Sequence, residues 1–146
     1  MLRPCVVTSE DLADFRFLLS PELAAAPENL LLIGLEEDGV PCGLLAGAPD
    51  GDVFELRSLC VAPAYRRRGG GLRLLEVLLT VLEDEPRLTR VCCRWQDTAE
   101  TSAVAPLLTV AGFAVTPAAV PGSFSAELPL IPTESLGYLL SDLSED

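Results

Sequence analysis

The sequence predicts one α/β domain in which a mixed central sheet of about seven strands is flanked by helices. Three observations support this fold class: seven short runs rich in apolar and β-branched residues, helical patterns between them, and a strand-helix-strand succession in the second half. With 146 residues, of which 49% are hydrophobic, the chain suits a single domain with its own core.

The first half predicts a strand, two short helices and three antiparallel strands. A strand is expected over residues 3–8, and a helix begins near Leu12 because residues 8–11 offer side chains that cap a helix. Pro21 favours the start of a second short helix, since a missing N–H costs nothing at the first helical position. The three strands that follow cover residues 30–37, 40–48 and 53–61, with Asp38-Gly39 as a hairpin turn between the first two.

The second half predicts alternating helices and strands. In order, they are a helix over residues 72–82, a strand over 88–94, a helix over 98–111 capped by Gly112, and strands over 113–116 and 123–130. Because a helix connects it to strand 53–61, strand 88–94 is expected to run parallel to that strand. The domain would span residues 1–132, and residues 133–146 would form an acidic tail or a short helix.

A basic and glycine-rich turn lies between strand 53–61 and the helix that follows. It consists of Arg66, Arg67, Arg68, Gly69, Gly70 and Gly71. Backbone N–H groups at a helix N-terminus bind anions, glycine allows close approach of a ligand, and arginine pairs with phosphate oxygens. The same residues would also fit an ordinary surface turn. Neither G-x-x-x-x-G-K-[ST] nor G-x-G-x-x-G occurs in the chain, so the usual ATP and dinucleotide loops are excluded.

This segment resembles motif A of the GCN5-related N-acetyltransferase (GNAT) superfamily. Read from Arg66 it fits Arg-x-x-Gly-x-Gly, and the order of elements is also similar to that of the family. The resemblance implies a GNAT-like fold and an enzyme that uses acetyl-CoA as co-substrate to acetylate an amine. It also implies that Leu59, Cys60 and Val61 meet the pantetheine arm and that residues 66–71 hold the pyrophosphate.

Glu55 is the best candidate for the general base. Alternation along the strand places it on the same side as Arg57, Leu59 and Val61, and a glutamate base occupies the matching place in the histone-acetylating branch that this sequence resembles. A solvated carboxylate paired with Arg57 or with a cross-strand neighbour is the alternative interpretation. Glu36 and Glu37 are weaker candidates for a base or an amine ligand.

The general acid of the family is missing at its usual place. Many members carry a tyrosine four residues before the glycine that matches Gly112, and this chain has Leu108 there. Tyr65, in the loop before the arginines, is expected to be structural, and Tyr138 would contribute only if the tail folded back. Two readings follow: an enzyme whose leaving thiolate is protonated by water, or a catalytically weakened acetyl-CoA-binding module with a regulatory role.

The composition of the chain limits which partners it is expected to bind and indicates the cellular compartment. The net charge is −12, which disfavours nucleic acid and suits a cationic small-molecule or peptide amine, although an acidic surface also serves solubility. Without histidine, and with five cysteines that lack C-x-x-C spacing, a metal site is not expected. The cysteines are expected to be buried free thiols, Cys60 being an unfavoured candidate for a nucleophile. We expect a cytoplasmic protein with no membrane partner. The sequence does not decide between a monomer and a homodimer.

Overall fold

The computed structural model describes residues 2–66, 68–96, 104–118 and 121–130. Within these residues, seven strands form one sheet: β1 (Arg3–Val6), β2 (Leu31–Glu37), β3 (Val40–Asp50), β4 (Val53–Val61), β5 (Arg90–Gln96), β6 (Ala114–Pro117) and β7 (Ser123–Pro129). Their order across the sheet is β1-β2-β3-β4-β5-β7-β6. The predicted mixed sheet of about seven strands is therefore confirmed.

β2, β3 and β4 are antiparallel neighbours, as predicted from the hairpin signals, and β1 pairs antiparallel with β2. Asp38 and Gly39 both have positive φ, at 53° and 80°, which is the backbone of the tight turn that connects β2 to β3 without splaying them. β3 extends to Asp50, two residues beyond the prediction.

The helices before β2 are short. α1 (Leu12–Phe15) passes directly into a 3₁₀ turn over Arg16–Leu18, and α2 (Pro21–Ala24) precedes another 3₁₀ turn over Pro27–Asn29. Ser20 caps α2 by accepting a hydrogen bond from the Leu23 amide, with Pro21 at the first helical position as predicted. Asp11 does not cap α1 through its side chain, since Thr8 donates its hydroxyl hydrogen to that carboxylate at 3.0 Å.

α3 (Gly70–Leu82) connects β4 to β5, and these two strands are parallel as predicted. α4 (Val104–Val110) follows β5, and residues 98–103 of the predicted helix lie outside the described residues, as do residues 131–146. Gly112 adopts φ 101° just after α4, which is the conformation that ends a helix.

Two clusters of buried side chains lie on opposite faces of the sheet. The face covered by α3 and α4, called here the α3 face, contains Leu74, Leu75, Leu78 and Leu108 packed on the strands. The other face, called here the α1 face, contains Phe15, Leu18 and Leu19 packed on β2 and β3. No helix in the described part of the chain is both long and apolar enough to cross a membrane.

Candidate active site

β4 and β5 separate after a short stretch of pairing. Their ladder runs from Val53 opposite Arg90 to Leu56 opposite Cys93 and ends there. Both strands continue, β4 to Val61 alongside β3 and β5 to Gln96 alongside β7. Residues 57–61 of β4 therefore have no partner on β5 among the described residues, and the sheet has a gap at this end between its two central parallel strands.

A β-bulge lies at the closed end of this gap. Ala46 of β3 pairs with Ser58 and Gly47 pairs with Leu56, so Arg57 is an extra residue in β4. A bulge bends its strand and increases the local twist, which accounts for β4 leaving β5 immediately after Leu56. Gly47 permits this geometry, because a Cβ at that position would lie 2.6 Å from the Glu55 carbonyl oxygen.

The bulge corrects one prediction about β4. Phe54 and Leu56 pack on the α3 face, and so do Leu59 and Val61 beyond the bulge. Glu55 alternates with Phe54 and Leu56 and therefore projects from the α1 face. The expectation that Glu55 shares a side with Leu59 and Val61 is wrong, because the extra residue at Arg57 shifts the alternation by one. Cys60 packs on the α1 face.

Of the three glycines in the turn, Gly69 lies in the loop before α3, and Gly70 and Gly71 lie in the helix. Gly69 is the N-cap of α3 with φ 78°, a left-handed conformation that glycine adopts without strain. Gly70 and Gly71 belong to the first turn of α3, where a Cβ would come within 2.9 Å of Leu35 and 2.8 Å of Leu107 respectively. Because Gly69 has no side chain, no capping group covers the first amides of α3, which remain suited to an anion.

The arginines around this turn have different surroundings. The Arg66 Nε donates a hydrogen bond to the Val61 carbonyl oxygen at 2.9 Å, so its side chain lies against the end of β4. Arg68 and Arg73 line a shallow depression of about 270 Å³ together with Gly69 and Leu2. Arg67 lies outside the described residues. Arg73 contributes to this basic surface although it follows the predicted motif.

Arg68 also anchors the turn to the end of β2. Its guanidinium donates two hydrogen bonds to the Glu37 carboxylate, one of 2.6 Å from Nη1 to Oε2 and a second from Nη2 to Oε1. It lies over the Tyr65 ring at 5.8 Å from the ring centroid. Hydrogen bonding to Arg68 lowers the pKa of Glu37 to about 2. Glu37 is therefore a structural carboxylate that stays ionised, which removes it as a candidate general base.

Glu55 is exposed and lies beside Arg57, with 3.5 Å between its Oε1 and the Arg57 Nε. The ion pair that was the alternative reading of Glu55 is thus present. An exposed pair of this kind is weak and leaves the carboxylate accessible. In register, Glu55 lies opposite Cys92 of β5, one residue before the last rung between the two strands.

Leu108 and Tyr65 both pack against the hydrophobic core. Leu108 is fully buried in the core between α3, α4 and the sheet, so no proton donor stands at this position. Tyr65 lies in a 3₁₀ turn over Pro63–Tyr65 and packs partly against the same core. The structural role predicted for Tyr65 agrees with these contacts.

The cysteines are all unpaired, as expected, but only Cys42 is fully buried. Its thiol donates to the Leu35 carbonyl oxygen at 3.3 Å. Cys93, opposite Leu56 at the closed end of the gap, has its pKa raised to about 11, mainly by burial. A thiol with that pKa stays protonated near neutral pH and is a poor nucleophile. Within the described residues, no three acidic or cysteine side chains are grouped so as to hold a metal ion.

A strand that separates from its parallel neighbour, followed by a glycine turn and an uncapped helix N-terminus, places a gap next to an anion site, as the resemblance to the GNAT superfamily implies. The family model "Acetyltransferase (GNAT) family" matches residues 4–107, and the chain belongs to this family of acyltransferases. The resemblance and the fold inferred from the motif are confirmed. Among curated proteins, no sequence matches significantly.

Solved structures of this family share the fold at low sequence identity. The ribosomal-protein-S18-alanine N-acetyltransferase from Escherichia coli superposes with a TM-score of 0.71 at 21% identity, covering 89% of this chain and 94% of that one. A GNAT family acetyltransferase from Elizabethkingia anophelis with acetyl-CoA bound gives 0.71 at 14% identity, with 88% and 98% covered. The PaiA N-acetyltransferase from Thermoplasma acidophilum in complex with coenzyme A gives 0.69 at 14%, with 88% and 99% covered.

Sequence reasoning missed two features of the site: the bulge at Arg57 and the Arg68 to Glu37 pair. Arg73 was expected near the anion site because it clusters with Arg66, Arg67 and Arg68 in the sequence. The two missed features depend on how β3 and β2 are placed beside β4 and the turn, which local sequence does not encode.

Proposed function

We propose that this chain is an acetyl-CoA-dependent N-acetyltransferase that acetylates a primary amine of a small molecule or peptide. The observation that carries the proposal is the end of pairing at Leu56 and Cys93, at the end of the sheet where α3 begins. In sheets with parallel strands, ligands bind at the carboxyl ends of those strands. At that end of β4 and β5, the gap lies next to the anion site at the start of α3. Family membership supports the same activity.

The residues around the gap fit the coenzyme. The first amides of α3 are uncapped and Gly69 puts no side chain over them, while Gly70 and Gly71 let the helix pack closely on Leu35 and Leu107. The guanidinium groups of Arg68 and Arg73 lie beside these amides, each also paired with a carboxylate, Glu37 and Glu76 respectively, and keep further N–H donors for the diphosphate. Residues 57–61, which include Leu59, Cys60 and Val61, pair with β3 on one side only, and their backbone groups that face the gap suit the amide groups of pantetheine. Arg66 and Arg67 remain part of the proposed site, Arg66 also holding the end of β4.

Acetyl-CoA supplies an acetyl group activated as a thioester. The amine nitrogen forms a bond to the carbonyl carbon, the bond from that carbon to sulfur breaks, and CoA leaves as a thiolate that takes up a proton. We assign to Glu55 the removal of the ammonium proton, directly or through one water, because it is an accessible carboxylate next to the closed end of the gap. The backbone amide of Cys60 or Val61 is the proposed donor to the thioester oxygen.

Protonation of the leaving group is left to solvent in this proposal. Leu108 is buried and apolar, and a CoA thiolate is a fairly good leaving group because thiols have a pKa near roughly 8.5. The same leucine supports the second candidate, a domain that binds acetyl-CoA but transfers the acetyl group poorly and acts as a regulatory module. Both functions require acetyl-CoA binding, but only the enzyme is expected to turn over acetyl-CoA efficiently.

The test is acetyl transfer by the purified chain to a panel of amines, polyamines, amino acids and peptide N-termini, measured as release of free CoA thiol. The proposal expects transfer with at least one acceptor class, and a drop in kcat of roughly 10²-fold or more in Glu55→Gln with unchanged acetyl-CoA affinity. Glu83→Gln, at the far end of α3, is the matched control. Coenzyme binding without thiol release across the panel would support the binding module instead.

The state of the cysteines supports a reducing compartment such as the cytoplasm as part of this proposal. All five are unpaired, and disulfides are rare where glutathione keeps thiols reduced. Location of the expressed chain by fractionation would test this part independently of activity.

A further inference from the structure

The α1 face of the sheet carries an open pocket on the strands beyond the gap. It has a volume of about 460 Å³, and its polar lining residues come from β5, β6 and β7: Arg90, Cys92, Arg94, Thr116, Ser125 and Glu127. The buried cluster on this face is built on α1, β2 and β3, so its residues do not fill the pocket. The pocket is large enough for a small metabolite.

The lining of this pocket is positively charged although the chain as a whole is strongly acidic. The Arg90 Nη1 is paired with the Glu127 carboxylate at 3.0 Å, and these two charges cancel. The Arg94 side chain is exposed, and its guanidinium makes no hydrogen bond or ion pair with any described residue. The charged side chains in the lining therefore sum to +1 in a chain whose net charge is −12. An anionic group is the complement of such a site.

Two hydroxyl residues lie in register with Arg94. Arg94 faces Ser125 across the antiparallel β5 and β7 pair, Ser125 faces Thr116 on β6, and all three line the pocket. The two hydroxyl oxygens are hydrogen-bonded to each other at 3.2 Å. One row across three strands thus offers a planar guanidinium and one hydroxyl hydrogen not used between the two hydroxyls, which suits a carboxylate.

This row begins next to the closed end of the gap. Arg94 follows Cys93, the last residue of β5 that pairs with β4, while Glu55 lies one strand away opposite Cys92. Strand spacing and rise separate the Cα atoms of Glu55 and Arg94 by about 8 Å. A molecule whose carboxylate met Arg94 could present an amine near Glu55 if only a few atoms separated the two groups.

We propose that the acceptor is a small amine that also carries a carboxylate, an amino acid in the broad sense, and that Arg94 binds this carboxylate. The inference rests on the proposed function, because it assigns the substrate class of the same site. It also changes the expectation drawn from net charge: the acidic surface attracts the ammonium end, while the pocket selects acceptors with an anionic end.

The experiment compares kcat/KM for matched acceptor pairs at fixed acetyl-CoA: glycine with glycinamide, β-alanine with β-alaninamide, and 4-aminobutyrate with its amide. Amides differ from acids in amine basicity, so the quantity of interest is the ratio within each pair, compared between wild type and Arg94→Gln. We expect the variant to lose at least about tenfold in this ratio, since a charge-assisted hydrogen bond is removed. Arg94→Lys should retain part of the ratio.

Arg87→Gln is the control, because it removes the same charge at an exposed position that does not line the pocket. Its ratio should equal that of wild type. An acid-to-amide ratio that is unchanged in Arg94→Gln, or transfer confined to amines without a carboxylate, would overturn the inference and leave the proposed function intact.

If no amine is acetylated, the proposed function fails. A binding measurement then tests separately whether Arg94 binds a carboxylate. β-Alanine and β-alaninamide are titrated into the CoA-bound protein by calorimetry. Binding of β-alanine alone, lost in Arg94→Gln and kept in Arg87→Gln, would support the site. Absence of β-alanine binding to wild type would overturn it.

Discussion

Arg68 in the glycine turn donates two hydrogen bonds to the carboxylate of Glu37 at the end of β2. The pair joins the loop before α3 to a strand 31 residues earlier in the chain. It holds one cation of the proposed diphosphate site in a fixed position while leaving it beside the depression that also contains Gly69 and Arg73.

Replacement of Glu37 by glutamine should weaken the turn in a pH-dependent way. The folded-state pKa of Glu37 is about 2, below its ordinary value of 4.5, so the stabilisation is complete above that ordinary value and is lost as the pH falls towards 2. We expect Glu37→Gln to lower the melting temperature at pH 7. The difference from wild type should shrink below pH 4.5, and a difference that grew on acidification would contradict the assignment.

Removal of the Arg68 side chain should reduce coenzyme affinity. In Arg68→Ala the depression loses one of its two described arginines, and a charge-assisted hydrogen bond to phosphate contributes roughly 1.5–3 kcal/mol. We expect the Kd of acetyl-CoA to rise about tenfold or more by calorimetry. Arg87→Ala, at an exposed position outside the depression, should bind as wild type does; equal affinities in both variants would remove Arg68 from the site.

A methyl group at Gly70 should destabilise the fold more than one at Gly71. The added Cβ at Gly70 would lie 2.9 Å from the Leu35 side chain, which is fully buried and has little room to move. At Gly71 the added Cβ would lie 2.8 Å from Leu107, and a terminal methyl carbon is the nearest atom at both positions; Leu107 is only half-buried, so its methyl group has more room to move than that of Leu35. We expect a loss of about 1–3 kcal/mol for Gly70→Ala in denaturant unfolding and less for Gly71→Ala. The reverse order would contradict the packing described for this turn.

Gly47→Ala tests whether the bulge opens the gap. Its Cβ would collide with the Glu55 carbonyl oxygen at 2.6 Å and with the Phe54 ring at 2.5 Å, and backbone cannot move as a side-chain tip can. We expect lower stability together with weaker acetyl-CoA binding. Gly51→Ala is the control for a loss of stability without a collision at the bulge: nothing lies within 4 Å of its added Cβ, but its φ of 65° strains alanine, so we expect lower stability with unchanged acetyl-CoA binding. Unchanged coenzyme binding in a folded Gly47→Ala protein would separate the bulge from the site.

Tyrosine at position 108 should not restore a general acid. Leu108 is 0% exposed among the side chains of α3 and the sheet, so a larger and polar ring would overpack the core. Overpacking typically costs about 1–3 kcal/mol. We expect Leu108→Tyr to unfold at lower denaturant concentration without a gain in kcat, whereas a stable variant with faster turnover would show that the ring reaches the leaving thiolate.

Local patterns in the sequence predicted most of the fold. Asp38-Gly39, the glycine turn and Gly112 fixed where elements meet, because each requires a backbone conformation that few residues adopt. The helix after the turn was predicted to begin at Leu72, but it begins at Gly70, since close packing on Leu35 and Leu107 makes these glycines part of the helix. The low helix propensity of glycine does not favour a helix that begins with two glycines.

The site was less predictable than the fold because it depends on relations between distant segments. The alternation that grouped Glu55 with Leu59 failed at the bulge, which is set by the pairing of β4 with Gly47 on β3. The pocket on the α1 face joins residues of β5, β6 and β7 through their register, and nothing in the local sequence around Arg94 indicates that Ser125 and Thr116 lie beside it.

The proposed function depends on acetyl-CoA binding in the gap beyond Leu56 and at the first turn of α3. A crystal structure of the chain with CoA would show this binding. We expect diphosphate oxygens within hydrogen-bond distance of the amides of residues 69–71 and pantetheine along residues 57–61 of β4. CoA bound elsewhere, with this turn and strand free of contact, would contradict it.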